Sequence, residues 1–338
     1  MSTAPLDSQA SDGKAAGRPK VNVVLSTYNG ERYLAEQLDS IVAQTYTDWT
    51  LLVRDDGSTD GTADIIRRYA ASDERIRFVN DGAPPQNLGF VGSFFTLVKT
   101  EPADYIVFSD QDDVWLPNKL QVLLAEAARH DDGTPALYYT RWQAVDENLE
   151  PIPGVGDRQD LFATTRLFEQ LTTNPVLGAA SMINHRLADA WQGYEGLRSH
   201  DVFLGMAAAA LGELVYVKET TLLYRQHGRN QYGVDNLTPG GATVRSKVEQ
   251  FWTYYLEQKK REARRVLAIT GFVIPPDRER MLSDFVLMNT YPLPKRVLLV
   301  VRHRYYQKTK LAELKLWALL ASNYGNPMGR AAAPTASA

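Results

Sequence analysis

The chain of 338 residues contains no cysteine. This absence excludes disulfide bonds, zinc–thiolate sites and a thiol nucleophile, and it fits a reducing cytoplasm. Apolar runs approaching the ~18–20 residues that span a bilayer are also missing. Residues 1–20 lack the apolar segment of a signal peptide, so we expect a polar, disordered tail there. These absences predict a cytoplasmic globular protein.

The two parts of the chain carry net charges of opposite sign. The formal net charge is -3, yet residues 245–320 carry 16 Lys/Arg against 7 Asp/Glu, so the preceding part is acidic. An acidic part suits a metal-dependent site, and a basic part suits an anionic partner such as membrane headgroups. Ordinary solvated helix faces are the alternative interpretation. We expect no nucleic-acid partner, because the aromatic residues of the basic part fit a core or a lipid surface better.

One short segment is unusually acidic. The apolar run 105–108 predicts a buried strand, and it is followed by Ser109-Asp110-Gln111-Asp112-Asp113-Val114-Trp115. Three carboxylates within four residues repel one another unless a cation lies between them. Mg²⁺ or Mn²⁺, bridging to a phosphate, is the usual solution. The segment therefore predicts a metal–diphosphate clamp, with a solvated acidic turn as the alternative.

Strands and helices alternate along the first part of the chain. Apolar runs at 21–26, 49–54, 75–79 and 105–108 predict strands, with helical patterns between them. This order predicts an α/β fold with a mainly parallel, doubly wound sheet, which binds ligands beyond the carboxyl ends of its strands. Three strand ends carry polar clusters, namely Thr27-Tyr28-Asn29, Asp55-Asp56 and Asp110-Gln111-Asp112. We expect these clusters to converge.

The remaining chain predicts a second, helical region. Helical patterns cover 117–130 and 201–211, strand patterns cover 136–146 and 213–225, and residues from 244 onward are again helical. A connector rich in Gly and Pro at 228–241 marks a boundary. We predict a catalytic domain at 21–235, a helical region at 236–324 and a flexible tail at 325–338.

Over residues 20–230 these motifs resemble the inverting glycosyltransferase family 2, which has a GT-A fold. The motifs are Ser26-Thr27-Tyr28-Asn29-Gly30, Asp55-Asp56-Gly57-Ser58-Thr59-Asp60-Gly61-Thr62 and Asp110-Gln111-Asp112-Asp113. Together with His200-Asp201 and Tyr224-Arg225-Gln226-His227-Gly228, they are similar to the bacterial rhamnosyltransferase branch, which builds O-antigen and other surface polysaccharides.

The resemblance implies a role for each site residue. The implied nucleotide-binding residues are Thr27, Tyr28, Asn29, Asp55, Asp56 and Asp110. Tyr28 would stack on the base, Asp56 would accept a hydrogen bond from the N3–H of a uracil or thymine, and Asp55 could instead brace its loop. The implied metal ligands are Asp112 and His227, and Asp113, Trp115 and Arg225 are candidates for contacting the diphosphate or sugar.

Asp201 is the candidate general base that activates the acceptor hydroxyl. It stands where helix 201–211 is predicted to begin, so a helix N-cap is the alternative role. The loop Asn174–Ser181 resembles the acceptor-side loop of the family, and its small residues permit a close approach of a sugar.

The implied activity is inverting, metal-dependent transfer, with L-rhamnose from dTDP-β-L-rhamnose as the expected donor and a lipid-linked saccharide as acceptor. Another dTDP- or UDP-sugar is an alternative. A haloacid-dehalogenase-like phosphatase and a non-catalytic nucleotide-sugar-binding protein are the other candidates. The basic segment from Lys295 to Leu320, with Trp317 at the boundary, predicts peripheral docking on an anionic membrane. Helix packing or a homo-oligomer contact would explain the same segment.

Overall fold

The computed structural model describes residues 18–130, 132–156, 159–228, 255–305 and 310–322. Outside these residues lie positions 1–17 of the predicted N-terminal tail, the predicted C-terminal tail, most of the 228–241 connector and the proposed domain boundary at 235. No helix within the described ranges is both long and apolar enough to cross a membrane.

Eight strands form one sheet. They are β1 (Val21–Thr27), β2 (Trp49–Asp55), β3 (Ile76–Phe78), β4 (Tyr105–Ser109), β5 (Val114–Trp115), β6 (Ala136–Val145), β7 (Ser181–Asn184) and β8 (Glu213–Arg225). Their order is β3-β2-β1-β4-β7-β6-β8-β5. The four predicted strands of the first part are mutually parallel, as expected.

The second half of the sheet is mixed. β7 runs antiparallel to both β4 and β6, β8 is parallel to β6, and β5 is antiparallel to β8. Neither β5 nor β7 was predicted as a strand, because each is short and forms its backbone hydrogen bonds with strands that are distant in the sequence. Pairing of β5 with β8 brings the acidic segment beside the end of β8.

Twelve α-helices are described. The first eight are α1 (Leu34–Val42), α2 (Thr62–Ser72), α3 (Gly89–Thr100), α4 (Lys119–His130), α5 (Gln159–Phe162), α6 (Leu167–Gln170), α7 (His185–Ala190) and α8 (His200–Leu211). The C-terminal four are α9 (Glu257–Leu267), α10 (Pro276–Leu287), α11 (Leu293–His303) and α12 (Lys310–Ser322). Pro276 stands in the first turn of α10, where a missing backbone N–H costs nothing.

The sheet separates two apolar layers, because successive side chains of a strand point to opposite faces. Val23 of β1 packs with α1, α2 and α4, whereas its neighbour Val24 packs with α3, α7 and α8. The C-terminal helices extend the second layer through Leu256, Phe285 and Leu320. The sheet and the C-terminal helices therefore share one apolar layer.

Candidate active site at the strand ends

The three predicted polar clusters lie side by side at one edge of the sheet. Thr27 is in register with Asp55 across β1 and β2, and Leu25 with Ser109 across β1 and β4. Hydrogen bonds join the loops beyond the strands. The Tyr28 N–H donates to Gln111 Oε1 at 2.8 Å, and Gln111 Nε2 donates back to the Tyr28 carbonyl at 3.1 Å.

Tyr28 and Asn29 form the rim of this site. The Tyr28 side chain is 51% exposed, so its ring is available to stack on a planar ligand. Asn29 has a φ of 49°, in the left-handed region that asparagine tolerates better than most residues. Its N–H donates to Ser58 Oγ at 2.8 Å, and its Oδ1 accepts from the Thr59 N–H at 2.8 Å.

The two adjacent carboxylates after β2 have different surroundings. Asp55 accepts hydrogen bonds from Thr27 Oγ1 at 2.8 Å and from the Ser58 N–H at 2.8 Å, so it braces the loop. Asp56 is 3% exposed and forms a buried ion pair with Arg54, while its Oδ1 also accepts from the Leu88 N–H at 2.8 Å. Asp56 Oδ2 accepts no hydrogen bond from the described residues, so it is the oxygen with capacity left for a ligand.

The acidic segment contains three carboxylates in three settings. Asp110 is half-buried, and burial together with the nearby Asp112 and Asp201 carboxylates raises its pKa to about 7. Asp112 keeps a solvent-facing carboxylate, 20% exposed. Asp113 is fully buried, and burial together with the Asp112 and Asp110 carboxylates raises its pKa well above the ordinary value. Its Oδ1 accepts from the Arg225 N–H at 3.0 Å.

His227 and Asp112 meet although 115 positions separate them in the chain. His227 Nε2 lies 2.9 Å from Asp112 Oδ2. One carboxylate and one imidazole, both reachable from solvent, match the ligand types of Mg²⁺ or Mn²⁺ sites that are completed by substrate phosphates and water. Among the described residues, no group of three or more His, Asp or Glu side chains is arranged to hold a metal by itself.

Arg225 is buried behind the acidic segment and binds its backbone. Its guanidinium is 1% exposed and donates to the Asp112 carbonyl at 2.8 Å and the Glu147 carbonyl at 2.6 Å. It also pairs with Glu36 Oε2 at 2.6 Å and lies over the Tyr33 ring. These contacts use three of the five N–H donors of the guanidinium.

Trp115 and Asp113 are buried, as Arg225 is. The Trp115 side chain is 2% exposed, and the Lys119 ammonium lies 3.9 Å from the centre of its ring. Their burial favours support of the loop. Contact of Asp113, Trp115 or Arg225 with a sugar stays a prediction.

Lys119 was not predicted from the sequence. It is the first residue of α4, is fully buried, and donates to the Ala179 carbonyl of the 174–181 loop. Burial lowers the pKa of its ammonium to about 7, against the opposing effect of Asp113 and Asp110. A lysine at a helix start carries no sequence signal for such burial.

Asp201 lies in the first turn of α8, one residue further inside than predicted. The N-cap is Ser199, so Asp201 does not cap the helix. Its Oδ1 accepts from Ser199 Oγ and, at 2.7 Å, from the Val202 N–H. Its Oδ2 accepts from Asn174 Nδ2 at 3.3 Å. The carboxylate is thus held in one orientation from two sides.

His200, beside Asp201, points away from water. Its ring is 4% exposed, packs between Phe94 and Phe108, and has no hydrogen-bond partner on either nitrogen among the described residues. Burial lowers the pKa of His200 to about 4, so the imidazole is neutral at physiological pH. It serves as packing beneath the site.

Comparison with known proteins agrees with this geometry. Residues 22–186 match the family model described as glycosyl transferase family 2. The chain is 30% identical over 226 residues to the dTDP-rhamnosyl transferase RfbG of Shigella flexneri, which covers 62% of this chain and 74% of that protein. The chain belongs to glycosyltransferase family 2.

Two further similarities are more limited. The putative glycosyltransferase EpsE of Bacillus subtilis is 39% identical over 115 residues, a match covering 33% of this chain and only 40% of that protein. The crystal structure of S. aureus TarS 1-349 in complex with UDP-GlcNAc superposes with a TM-score of 0.56 at 16% identity, covering 92% of this chain and 89% of TarS. This likeness shows the fold, which is of the GT-A type predicted from the motifs.

Proposed function

We propose that this glycosyltransferase moves L-rhamnose from dTDP-β-L-rhamnose, with inversion, onto a lipid-linked saccharide of a cell-surface polysaccharide. The observation that carries the chemistry is the meeting of Asp112 and His227 beside the Tyr28 and Asp56 clusters at the strand ends. The similarity to a dTDP-rhamnosyl transferase over 226 residues supports the donor.

The donor nucleotide would lie between the rim and the loop after β2. Tyr28 offers an exposed ring for the base, worth roughly 1–3 kcal/mol by analogy with base stacking on aromatic side chains elsewhere. The free Oδ2 of Asp56 can accept the N3–H of thymine or uracil, which cytosine lacks. Asp110, further along the same edge, would lie near the ribose.

Asp112 and His227 are the residues that would hold Mg²⁺ or Mn²⁺. A divalent cation bound there offsets the negative charge that develops on the departing diphosphate. The crowding of Asp110, Asp112 and Asp113 fits this role, because three neighbouring carboxylates are easier to ionise beside a cation. Arg225 holds the loop, so the two ligands stay together.

Asp201 would take the proton of the acceptor hydroxyl as that oxygen attacks the anomeric carbon. A single displacement breaks the bond between the sugar and the diphosphate on the opposite face, so the product is inverted. Ser199 and Asn174 orient the carboxylate for this transfer. A positioned general base contributes about 10²–10⁴-fold to a rate.

A panel of nucleotide sugars tests the proposal. Purified protein is incubated with Mn²⁺ and each donor, and both donor binding and release of the nucleoside diphosphate are measured. We expect dTDP-β-L-rhamnose to bind more tightly than UDP- and GDP-sugars. Preferential binding of another donor would refute the rhamnose assignment, and a product with retained anomeric configuration by NMR would refute single displacement.

The second part of the proposal is docking on an anionic membrane. Seven of the ten exposed large hydrophobic side chains in the described chain fall between residues 287 and 314. They include Leu293, Val297, Leu298 and Val301 of α11 and Leu311 and Leu314 of α12. Exposed basic residues Lys295, Arg302, Arg304, Lys310 and Lys315 flank them. Each cation near such a surface adds about 1 kcal/mol.

The structure changes one detail of this membrane prediction. The Trp317 indole N–H donates to the Tyr305 carbonyl at 2.6 Å, so Trp317 is tied into the C-terminal helices. The exposed leucines and valines, and not Trp317, form the apolar face. An apolar face surrounded by cations fits an anionic lipid surface better than it fits a second basic copy of the chain.

Co-sedimentation with vesicles tests the docking. We expect binding to phosphatidylglycerol vesicles that weakens with salt, and loss of binding in a Leu298→Glu/Val301→Glu variant. Val273→Glu is the matched control, because Val273 is 86% exposed but lies outside this face. Equal binding by all three proteins would refute the surface. A dimer that the double variant dissociates, without vesicle binding, would assign the face to contact between copies.

A further inference from the structure

The C-terminal helix α9 directs a buried ammonium at the turn that follows α6. Lys259 is 3% exposed, and its Nζ donates to the Gln170 carbonyl at 2.9 Å and the Thr173 carbonyl at 2.5 Å. Just before α9, Tyr255 Oη donates to the Thr172 carbonyl at 2.6 Å. Two side chains from this region thus satisfy three carbonyls of the 170–173 turn. A buried ammonium is tolerated only when bonded in this way.

The turn leads directly to Asn174, which contacts the candidate base. Asn174 Nδ2 donates to Asp201 Oδ2 at 3.3 Å and also lies 3.2 Å from the Val176 carbonyl. The position of Asn174 is therefore set by the turn on one side and by Val176 on the other. A shift of the turn would remove one of the two supports of the Asp201 carboxylate.

Charge favours the same arrangement. Burial lowers the pKa of Lys259 to about 7, and the carboxylates of Asp201 and Glu262 oppose that lowering. Lys259 is thus a buried cation whose ionised form is favoured by the candidate base itself. Glu262, three residues further along α9, is 1% exposed and is the second carboxylate facing Lys259.

Packing keeps the helix in place. Leu256, Ala263 and Val266 belong to the same buried layer as Phe203 and Leu204 of α8. Since α8 also carries Asp201, the helix that supplies Lys259 and the helix that supplies the base are packed against each other. Movement of Lys259 relative to Asp201 would require this layer to repack.

We propose that Lys259 is a positioning residue for the acceptor side of the site, acting on Asp201 through the 170–173 turn and Asn174. The proposal rests on the proposed function, in which Asp201 takes the acceptor proton. The C-terminal region then belongs to the catalytic unit, and the basic run around Lys259 is not a solvated helix face.

The test compares Lys259→Met with Lys260→Met. Lys260 is the matched control, because it is 1% exposed on the same helix but its ammonium pairs with Glu257 at 3.1 Å, one turn earlier. We expect Lys259→Met to lower kcat by about 10–100-fold with the donor KM changed less than about twofold. Lys260→Met should keep kcat within about threefold. Lys259→Arg, which keeps the charge, should restore part of the loss.

A double-mutant cycle separates positioning from general destabilisation. If Lys259 acts through Asn174, Lys259→Met on an Asn174→Ala background should cost less than about threefold further in kcat. Independent, multiplicative losses would overturn the proposal, as would equal kcat values in the Lys259→Met and Lys260→Met variants.

Hydrogen exchange keeps this test distinct from the test of the proposed function. The amides of Thr172, Thr173, Asn174 and Val176 should exchange faster in Lys259→Met than in wild type, and at the wild-type rate in Lys260→Met. If wild-type protein transfers no sugar, the proposed function fails while this measurement still decides whether Lys259 holds the turn. Unchanged exchange in Lys259→Met would overturn the inference.

Discussion

Replacing Arg225 with methionine should destabilise the protein far more than the same change at Arg32. Both guanidinium groups flank the Tyr33 ring, at 4.5 Å for Arg225 and 4.9 Å for Arg32, and both contact Glu147. The Arg225 side chain, however, is 1% exposed and that of Arg32 is 65% exposed. The two sites therefore differ in burial and in the number of hydrogen bonds that the guanidinium donates.

The magnitude follows from the contacts. Methionine keeps the apolar stem but removes three donors, each worth about 1 kcal/mol net, and leaves the Asp112 and Glu147 carbonyls without them. Loss of one partner from a buried pair costs about 3–5 kcal/mol, and the 54% exposure of the Glu36 side chain places this case at the lower end. We expect about 3 kcal/mol for Arg225→Met and less than about 1 kcal/mol for Arg32→Met.

Thermal unfolding measures the difference. About 3 kcal/mol corresponds to a fall in Tm of roughly 4 °C in a protein of this size. Arg225→Lys should fall between wild type and Arg225→Met, because a compact ammonium cannot serve three separated acceptors at once. Equal Tm values for Arg225→Met and Arg32→Met would refute the reasoning, as would a wild-type Tm for Arg225→Lys.

Three further predictions concern single carboxylates. Asp112→Asn should weaken donor binding and its Mn²⁺ dependence together, because it removes the charge of a metal ligand. Titration calorimetry with and without Mn²⁺ checks this, and unchanged donor affinities would assign the metal to another residue. Asp201→Asn should lower kcat about 10²–10⁴-fold with donor affinity near wild type, and near-normal turnover in the folded variant would reassign the base. Burial raises the pKa of Glu262 from 4.5 to about 7. The protonated Glu262 therefore leaves the free energy of unfolding at its full value below pH 4.5, and that free energy falls as the pH rises from 4.5 through 7. Glu262→Gln should therefore raise the Tm more at pH 8 than at pH 5, and an equal gain at both would contradict that pKa.

The sequence by itself determined the parallel half of the sheet and the convergence of the polar clusters. The alternation of strands β1 to β4 with helices is a local pattern, and parallel strands bring their carboxyl ends to one edge. The placement of Tyr28, Asp56 and Asp112 at this edge therefore followed from their positions after apolar runs. Local periodicity is enough to predict the position of a residue when that position depends only on the strand that carries it.

Only the tertiary structure decided which charges are buried and what they touch. Arg225 meets Asp112 across 113 positions, and Lys259 meets Gln170 across 89. Neither pairing has a local signature, and a buried lysine in a basic run looks like a solvated one until neighbouring elements cover it. The antiparallel β7 was missed for a similar reason, because four residues take their strand conformation from β4 and β6. Burial and long-range hydrogen bonding belong to the packed chain, and they decide which charged residues support the site.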